Sequence, residues 1–299
     1  MKVIVLRNAA AGSAAGPIDP TERELLDAFA SAGVAVEIRR VPPERLTATA
    51  SDLAAHAIDD LVIAAAGGDG TLSAIAAALA GTSTAMGVLP MGTLNHFAKD
   101  LGLPLSIADS ARAIATGQPR PVDVAEVNGR VFINNASIGL YPRVVRHRDQ
   151  MRQRLGHGKW YAMLKAIVTI FRRFPLVRLR LVVNREAWLR TTPFVFVGNN
   201  QYAIERLNLG SRPRLDTGDL CVYFTNRTGR LGMLRLAFRA LLGRLKQDKD
   251  FNALCTTELF IDTPRRQISV ALDGEVHRLA TPLHFTTRPA ALKVMMPPD

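Results

Sequence analysis

Three loops rich in glycine and small residues stand out as places where this chain could bind a phosphate group. They are the turn from Asn8 to Gly12, the GGDGT turn at Gly67–Thr71 and the turn Pro90–Asn95. Glycine lets the backbone approach a phosphate closely, and a helix that follows supplies N–H donors at its positive end. Each loop alone is typical of an ordinary tight turn, but three after consecutive strands favour a phosphate site.

The segments around these loops alternate between strand and helix patterns. Buried-strand runs cover residues 2–7, 34–39, 61–66 and 85–89, and helical patterns cover residues 21–32, 46–57 and 71–80. This alternation is typical of a parallel sheet, in which ligands bind beyond the carboxyl ends of the strands. Thr71 and Thr93 are predicted to cap the helices that follow the second and third loops.

After Pro121 the pattern changes to antiparallel hairpins, whose turn signals are Asn128-Gly129, Asn184-Arg185 and Asp273-Gly274. Two helical stretches, residues 160–174 and 231–246, interrupt the hairpins. We therefore predict an α/β domain over residues 1–121 and an antiparallel β-sandwich domain over residues 122–299. The C-terminal tail is free to return to the first domain.

The charge changes at the same place. Residues 1–125 hold 9 Lys+Arg and 13 Asp+Glu, a net of −4, whereas residues 126–299 hold 29 and 13, a net of +16. A basic domain can face an anionic membrane or nucleic acid, or the arginines can simply keep the surface soluble. No nucleic-acid-binding motif is present and aromatic residues make up only 6%, so we expect no nucleic acid and favour a membrane surface.

Other features of the sequence narrow the class of protein. No apolar run reaches the roughly 18–20 residues of a membrane span. The two cysteines, Cys221 and Cys255, form no CxxC pair or disulfide framework, so we expect a reduced, cytosolic protein. The motifs GxxxxGK[ST], HExxH and GxSxG are absent, and Ser73 stands where GxGxxG requires its third glycine.

Several motifs, in order over nearly the whole chain, carry a resemblance to a known family. They are GGDGT at 67–71, Pro90-x-Gly92-Thr93-x-Asn95-x-Phe97-Ala98, Asp216-Thr217-Gly218 and Leu272-Asp273-Gly274-Glu275. This set resembles the diacylglycerol kinase catalytic-domain family, which includes bacterial lipid kinases, sphingosine kinases and ceramide kinases. GGDG alone is shared with NAD kinases and phosphofructokinases, and the later motifs supply the specificity.

The resemblance implies an ATP- and Mg²⁺-dependent kinase whose active site lies in the cleft between its two domains. Asp69 would organise phosphates, metal or water, and Glu275 would be the general base that takes the proton from a lipid hydroxyl. The residues implied to contact the nucleotide are Asn8, Gly12, Gly67, Gly68, Asp69, Gly70, Thr71, Leu72, Ser73, Gly92, Thr93 and Asn95.

The sequence departs from the family pattern in three places. His96 stands where many members carry aspartate, and Ser73 replaces the usual asparagine. Where some bacterial members hold a structural Mg²⁺, Thr217 occupies an acidic position. Asp216 and Asp219 are the remaining candidate metal ligands there, and the neighbouring Arg214 argues against a cation.

The sequence thus predicts a cytoplasmic lipid kinase that associates peripherally with the membrane. Its substrate is expected to be a diacylglycerol-like or sphingoid-like lipid, and its role to lie in phospholipid metabolism. The apolar, basic stretches 160–174 and 231–246 are candidates for membrane contact, and packing on the sandwich is the alternative for them. Two other functions stay open: an inactive nucleotide-binding regulatory module, which His96 and Thr217 would fit, and a kinase for a soluble acceptor such as NAD. The oligomeric state is also open, with a homodimer as one alternative.

Overall fold

The computed structural model describes residues 1–9, 20–57, 60–139, 176–183, 186–204, 209–224 and 252–298. Among these residues the α-helices lie in the first part of the chain: α1 Pro20–Ser31, α2 Leu46–Ala55, α3 Asp69–Leu79, α4 His96–Asp100 and α5 Ile107–Thr116, with a 3-10 turn at Pro43–Arg45. They alternate with four strands, β1 Lys2–Asn8, β2 Val36–Val41, β3 Leu61–Gly67 and β4 Ala85–Pro90.

These four strands form a parallel sheet in the order β2-β1-β3-β4. Their central residues are almost continuously apolar, because helices cover both faces of the sheet. One face packs against α1 and α5 through a cluster that includes Val5, Leu25, Phe29 and Ile114. The other face packs against α2 and α3 through Ile4, Leu6, Leu46, Leu72 and Ile75.

The remaining strands follow the helices: β5 Gln118–Val127, β6 Arg130–Phe132, β7 Asn135–Gly139, β8 Val177–Val183, β9 Glu186–Thr192, β10 Phe194–Asn199, β11 Ala203–Ile204, β12 Leu209–Ser211, β13 Leu220–Phe224, β14 Asn252–Thr256, β15 Glu258–Asp262, β16 Gln267–Leu272, β17 Glu275–Ala280 and β18 Leu283–Met296. A six-stranded antiparallel sheet, β14-β13-β10-β7-β16-β17, packs on β5, β8, β15 and β18 around one apolar core. The predicted fold class, α/β plus an antiparallel sandwich, is confirmed.

One sheet runs through both parts of the molecule, in the order β2-β1-β3-β4-β18-β15-β8-β9. Its central strand, β18, is parallel to β4 and antiparallel to β15, and it also pairs along most of its length with β5. The strand β5 itself passes through residue 121 without a break. Backbone pairing of β18 with both β4 and β15 therefore joins the parallel and antiparallel regions in one sheet.

Local details differ from the predictions at several element ends. The N-cap of α3 is Gly68 and that of α4 is Asn95, so the predictions of Thr71 and Thr93 as caps are wrong. The helix α3 begins at Asp69 because Gly68 already has extended backbone angles. The second strand begins two residues late because Val34 belongs to the turn that ends α1. The predicted helices at 160–174 and 231–246 lie outside the described residues.

Cys221 and Cys255 face each other across β13 and β14 and form a disulfide, contrary to the expectation of reduced cysteines. The two strands are far apart in sequence, so only their pairing brings these residues together. Within the described ranges, no helix combines the length and apolarity needed to cross a membrane.

Candidate active site

The GGDGT turn joins the carboxyl end of β3 to the first turn of α3. Gly67 must lack a side chain, because a Cβ atom on it would lie 2.5 Å from Oγ1 of Thr71. The carbonyl oxygen of Gly68 accepts a hydrogen bond from the amide of Thr71. The amides of Asp69 and Gly70 come earlier in the helix, where no carbonyl of the same helix can reach them. They are therefore suited to bind phosphate oxygens.

The Pro90–Asn95 loop packs backbone to backbone on this turn, since a Cβ atom on Gly92 would lie 2.6 Å from Cα of Gly68. Asn95 adopts a left-handed backbone, φ 49°, and its Oδ1 accepts the amide of Gly92 at 2.9 Å. Its Nδ2 donates to two carbonyl oxygens of the same loop, at 3.0 and 3.4 Å. Asn95 thus maintains the shape of the loop, and phosphate contact by Asn95 or by the exposed Thr93 stays a prediction.

The first predicted loop reaches the same place through Asn8, whose Nδ2 lies 3.5 Å from Oγ1 of Thr71. Gly12 lies outside the described residues.

The Leu72 side chain is fully buried in the core between α3 and the sheet, and its amide donates to Gly68. The structure therefore removes Leu72 from the side chains that could touch a nucleotide, because its position in the helix directs it inward.

Asp69 connects the second and third loops, because its Oδ1 accepts the amide of Phe97 in α4 at 3.3 Å. Its other carboxylate oxygen has no hydrogen-bond donor among the described residues. The described residues include no group of three His, Cys, Asp or Glu side chains that could enclose a metal. Mg²⁺ is usually bound by one or two carboxylates together with substrate phosphates and water, and Asp69 fits that kind of site.

Asp273 and Gly274 form the two-residue turn between β16 and β17, with φ values of 46° and 89°. The Asp273 carboxylate accepts the amides of Ile133, Asn134 and Asn135 at 2.8–3.0 Å. Burial raises the pKa of Asp273 above its usual value, although these hydrogen bonds oppose the rise. With its oxygens occupied, Asp273 serves to fix the turn.

Ser73 links this turn directly to α3. Its hydroxyl donates to Oδ2 of Asp273 at 2.5 Å, across a sequence separation of 200 residues. Ser73 thus connects the two halves of the molecule, and the predicted nucleotide contact by Ser73 stays a prediction.

Glu275 follows the turn, and its side chain is 70% exposed. A Cβ atom on Gly70 would lie 3.4 Å from Oε1 of Glu275, so the carboxylate faces the GGDGT turn. Glu275 and Gly70 line a cleft of about 150 Å³ together with Ser73, Arg130 and His277. The structure thus brings the predicted base and the predicted phosphate-binding turn next to each other in one cleft.

The predicted metal ligands Asp216 and Asp219 belong to no group of three His, Cys, Asp or Glu side chains among the described residues. Oδ1 and Oδ2 of Asp216 accept hydrogen bonds from Arg214 at 2.9 and 3.2 Å, and these bonds lower the pKa of Asp216. The positive charge of Arg214 already neutralises the carboxylate. The arrangement therefore gives no support to a cation at this turn.

The position of that turn depends on Asp123, which the sequence analysis did not single out. Asp123 is 2% exposed, and its carboxylate accepts the amides of Gly218 and Ala290 at 2.7 and 2.8 Å. It also accepts Nδ2 of Asn200 at 2.7 Å. A lone aspartate within an apolar strand was the only available signal for this role.

A second buried network, centred on Arg212, joins α4 to the antiparallel region. The Arg212 side chain is fully buried, and its Nε donates to Oδ2 of Asp100 at 2.7 Å. Its terminal nitrogens donate to the carbonyl oxygens of Ile133 and Asn199 and to Oδ1 of Asn134, at 2.6–3.1 Å. Because the amides of Ile133 and Asn134 bind Asp273, this network supports the turn that carries Glu275.

Comparison with known proteins shows which class of kinase has this fold and these motifs. Residues 2–127 match the family model of the diacylglycerol kinase catalytic domain. Residues 134–296 match that of the YegS C-terminal NAD kinase beta sandwich-like domain, and the chain belongs to this lipid kinase family.

Individual relatives agree with this assignment. A Pseudomonas aeruginosa protein named "Probable lipid kinase YegS-like" is 30% identical over 241 residues, which cover 79% of this chain and 76% of that protein. A Bacillus subtilis diacylglycerol kinase is 45% identical over 83 residues, 27% of each chain. The match to a Klebsiella pneumoniae protein named "Probable lipid kinase YegS-like" is 33% identical over 132 residues and spans 43% of this chain and 44% of that protein.

Solved structures share the fold at lower identity. A diacylglycerol kinase from Bacillus anthracis superposes with a TM-score of 0.69 at 20% identity, covering 99% of this chain and 97% of that one. Yeast NADH kinase superposes with a TM-score of 0.51 at 11% identity, covering 100% and 83%. At these identities the likeness concerns the fold alone.

Proposed function

We propose that this chain is a lipid kinase that transfers the γ-phosphate of ATP to a hydroxyl group of a diacylglycerol-like or sphingoid-like lipid. The observation that carries the proposal is the exposed Glu275 carboxylate beside Gly70 of the GGDGT turn in the cleft. Phosphoryl transfer requires a held phosphate and an acceptor hydroxyl in line with it. The glycine-rich loops supply the first requirement, and the space beside Glu275 supplies the second.

In the proposed reaction the lipid hydroxyl oxygen forms a bond to the γ-phosphorus while the bond from that phosphorus to the bridging β,γ-oxygen breaks. ADP leaves, and Glu275 takes the hydroxyl proton, a contribution of roughly 10²–10⁴-fold for a positioned general base. Amides of Asp69 and Gly70 hold phosphate oxygens. Mg²⁺, which Asp69 would hold through its free carboxylate oxygen, neutralises phosphate charge when it is bound.

The substitution Asp69→Asn tests the phosphate side of the cleft. The new amide side chain keeps an oxygen that can accept the amide of Phe97, so the loop contact survives while the negative charge is lost. We expect turnover with ATP and Mg²⁺ to fall at least about 100-fold, the usual scale for removing an electrostatic contributor. Turnover is measured with labelled ATP over a panel of lipids, and the fold is checked by thermal unfolding.

Asp52→Asn on the exposed surface of α2 is the matched control and should leave turnover unchanged. A folded Asp69→Asn enzyme with near-normal turnover would exclude this loop from the site. ATP binding by the wild type without transfer to any lipid would contradict the kinase proposal and favour a nucleotide-binding regulatory module.

We also propose that the protein associates peripherally with an anionic membrane, at the cytoplasmic face where ATP is present. Residues 126–299 carry a net charge of +16, and part of it lies on the outer face of the hairpin β8–β9. Arg178 and Arg180 are exposed on this face, and the register places Leu189, 79% exposed, opposite Arg180. An exposed apolar side chain beside exposed arginines is suited to the interface of anionic lipid.

Changing Arg178 and Arg180 together to glutamine is expected to weaken binding to phosphatidylglycerol vesicles about 30-fold, since each cation near such a surface contributes on the order of 1 kcal/mol. Wild-type binding should also weaken as salt rises, because exposed charges are screened. Vesicle co-sedimentation over a range of NaCl concentrations measures both effects.

The double variant Arg23→Gln, Arg112→Gln removes the same charge from α1 and α5 and should bind like the wild type. Equal losses in the two double variants would assign the attraction to overall charge and contradict a role for this hairpin face. Binding that is absent, or independent of salt, would contradict the membrane proposal itself.

A further inference from the structure

The acceptor side of the cleft, where Glu275 lies, carries a guanidinium group to which the proposed function gives no role. Arg130 is the first residue of β6, directly after the Asn128-Gly129 turn, and it lines the cleft beside Glu275. It is exposed, and its guanidinium group has no hydrogen-bond or ion-pair partner among the residues that the structure describes. A planar guanidinium group matches the geometry of a phosphate, to which it can donate two parallel hydrogen bonds.

His277 is a second side chain in the cleft that can bind a phosphate group. It lies two residues after Glu275 on β17, so both side chains are on one face of the strand, and Nε2 of His277 is 4.0 Å from Oε2 of Glu275. Burial lowers the pKa of His277, and the nearby charge of Arg130 lowers it further, while Glu275 opposes both effects. The ring is therefore held neutral at pH 7, and an anion bound between it and Arg130 would favour its protonated form.

The acidic groups around this pair leave room for an anion. Asp273, at the adjacent turn, is already occupied by the hydroxyl of Ser73 and by three backbone amides. Glu275 is the remaining acidic side chain among the described lining residues, and the others near the pair, Thr47, Ala74 and Ala77, are uncharged. The cleft that the pair lines also contains Gly70 of the GGDGT turn, where the proposed function places the ATP phosphates.

We propose that Arg130 and His277 form a phosphate-binding subsite on the acceptor side of the cleft, next to Glu275. The inference rests on the proposed kinase function and refines it. Two phosphate groups of the reactants fit this subsite. One is the γ-phosphoryl group during transfer, and the other is a phosphodiester in the headgroup of the acceptor lipid. In the first case the pair stabilises the transferred group, and in the second it selects lipids whose hydroxyl lies close to a phosphodiester.

The first test uses inorganic phosphate and requires no turnover. In the wild type, the pKa of His277, followed by NMR of ring-labelled histidine and assigned with His277→Gln, should rise on adding phosphate at constant ionic strength. In Arg130→Gln the pKa should already be higher without phosphate, because a neighbouring positive charge is gone, and it should no longer respond. Arg112→Gln, which removes an exposed arginine from α5, should respond like the wild type.

His284 serves as the internal reference, because it is paired with Glu258 at 2.6 Å outside the cleft. A His277 pKa that does not move with phosphate in the wild type, or that moves equally in Arg130→Gln, would overturn the subsite. A response to phosphate in a protein that phosphorylates no lipid would leave the subsite standing and refute the kinase proposal, so the two failures are distinguishable.

The second test separates the two sources with Arg130→Gln and two acceptors in mixed micelles. If the pair holds a headgroup phosphodiester, KM for phosphatidylglycerol should rise about tenfold or more while the kinetics with diacylglycerol stay unchanged, as expected for losing a charged hydrogen bond. If it holds the γ-phosphoryl group, kcat should fall alike for both acceptors. Arg130→Lys should recover part of either loss. Kinetics equal to the wild type with both acceptors would overturn the subsite.

Discussion

Glu275→Gln is expected to lower kcat for lipid phosphorylation about 100-fold or more while ATP binds almost normally. Glutamine keeps the size of the side chain and one acceptor oxygen but can no longer take the hydroxyl proton. Because a base acts in the transition state, kcat and kcat/KM for the lipid should fall together. Steady-state kinetics with labelled ATP, together with equilibrium binding of ATP, measure the two quantities separately.

The structure sharpens what each alternative result would mean. Asp273 is the nearest other carboxylate, but its oxygens already accept four hydrogen bonds, so it cannot replace Glu275 without opening the turn. A raised lipid KM with kcat preserved would make Glu275 a binding residue, and a loss of ATP affinity would place it on the nucleotide side. Glu186 is an exposed glutamate at the start of β9, and Glu186→Gln should leave kcat, the lipid KM and the ATP affinity unchanged.

Arg212→Ala is expected to destabilise the protein by about 3–5 kcal/mol, the scale for removing one partner of a buried ion pair. The change leaves the Asp100 carboxylate, 5% exposed, without its guanidinium partner and removes donors from three buried oxygens. The free energy of unfolding from urea titration measures the loss. Asp100→Asn, alone and combined with Arg212→Ala, completes a double-mutant cycle.

Arg214 provides a control two residues away. It forms an ion pair of similar geometry with Asp216, but both side chains are more than half exposed. Solvent screens exposed pairs of this kind, so Arg214→Ala should leave the unfolding midpoint nearly unchanged. If Arg212→Ala costs no more than Arg214→Ala, or if the cycle shows no coupling between Arg212 and Asp100, the buried network does not hold the two halves together.

These two arginines also show how far the sequence could predict the structure. The glycine loops and the Asp273-Gly274 hairpin follow from local rules, because positive φ angles and close backbone contacts demand particular residue types. Nothing local distinguishes Arg212 from Arg214 within the same short segment. The burial of Arg212 depends on α4, more than a hundred residues earlier.

The same limit applies within the candidate site. The sequence grouped Ser73 with the nucleotide contacts because of its place after GGDGT, whereas its hydroxyl bonds to a turn 200 residues away. The disulfide between Cys221 and Cys255 was missed because strand register is a tertiary property. Arg130 and His277 were not singled out because each is an ordinary hairpin residue until β6 and β17 meet at one cleft.

The central position of β18 has a consequence for how the chain is made. This strand is synthesised after every other strand of the described sheets, yet it separates β4 from β15 and pairs with β5. On the ribosome, the parallel half of the sheet therefore exposes the backbone edge of β4 until translation has passed residue 283. Such an open edge can pair with another nascent chain. The long sequence separation between β4 and β18 also raises the contact order, which slows folding. The glycine-rich loops are thus translated well before β18, and the sheet beneath them is completed only once β18 has been made.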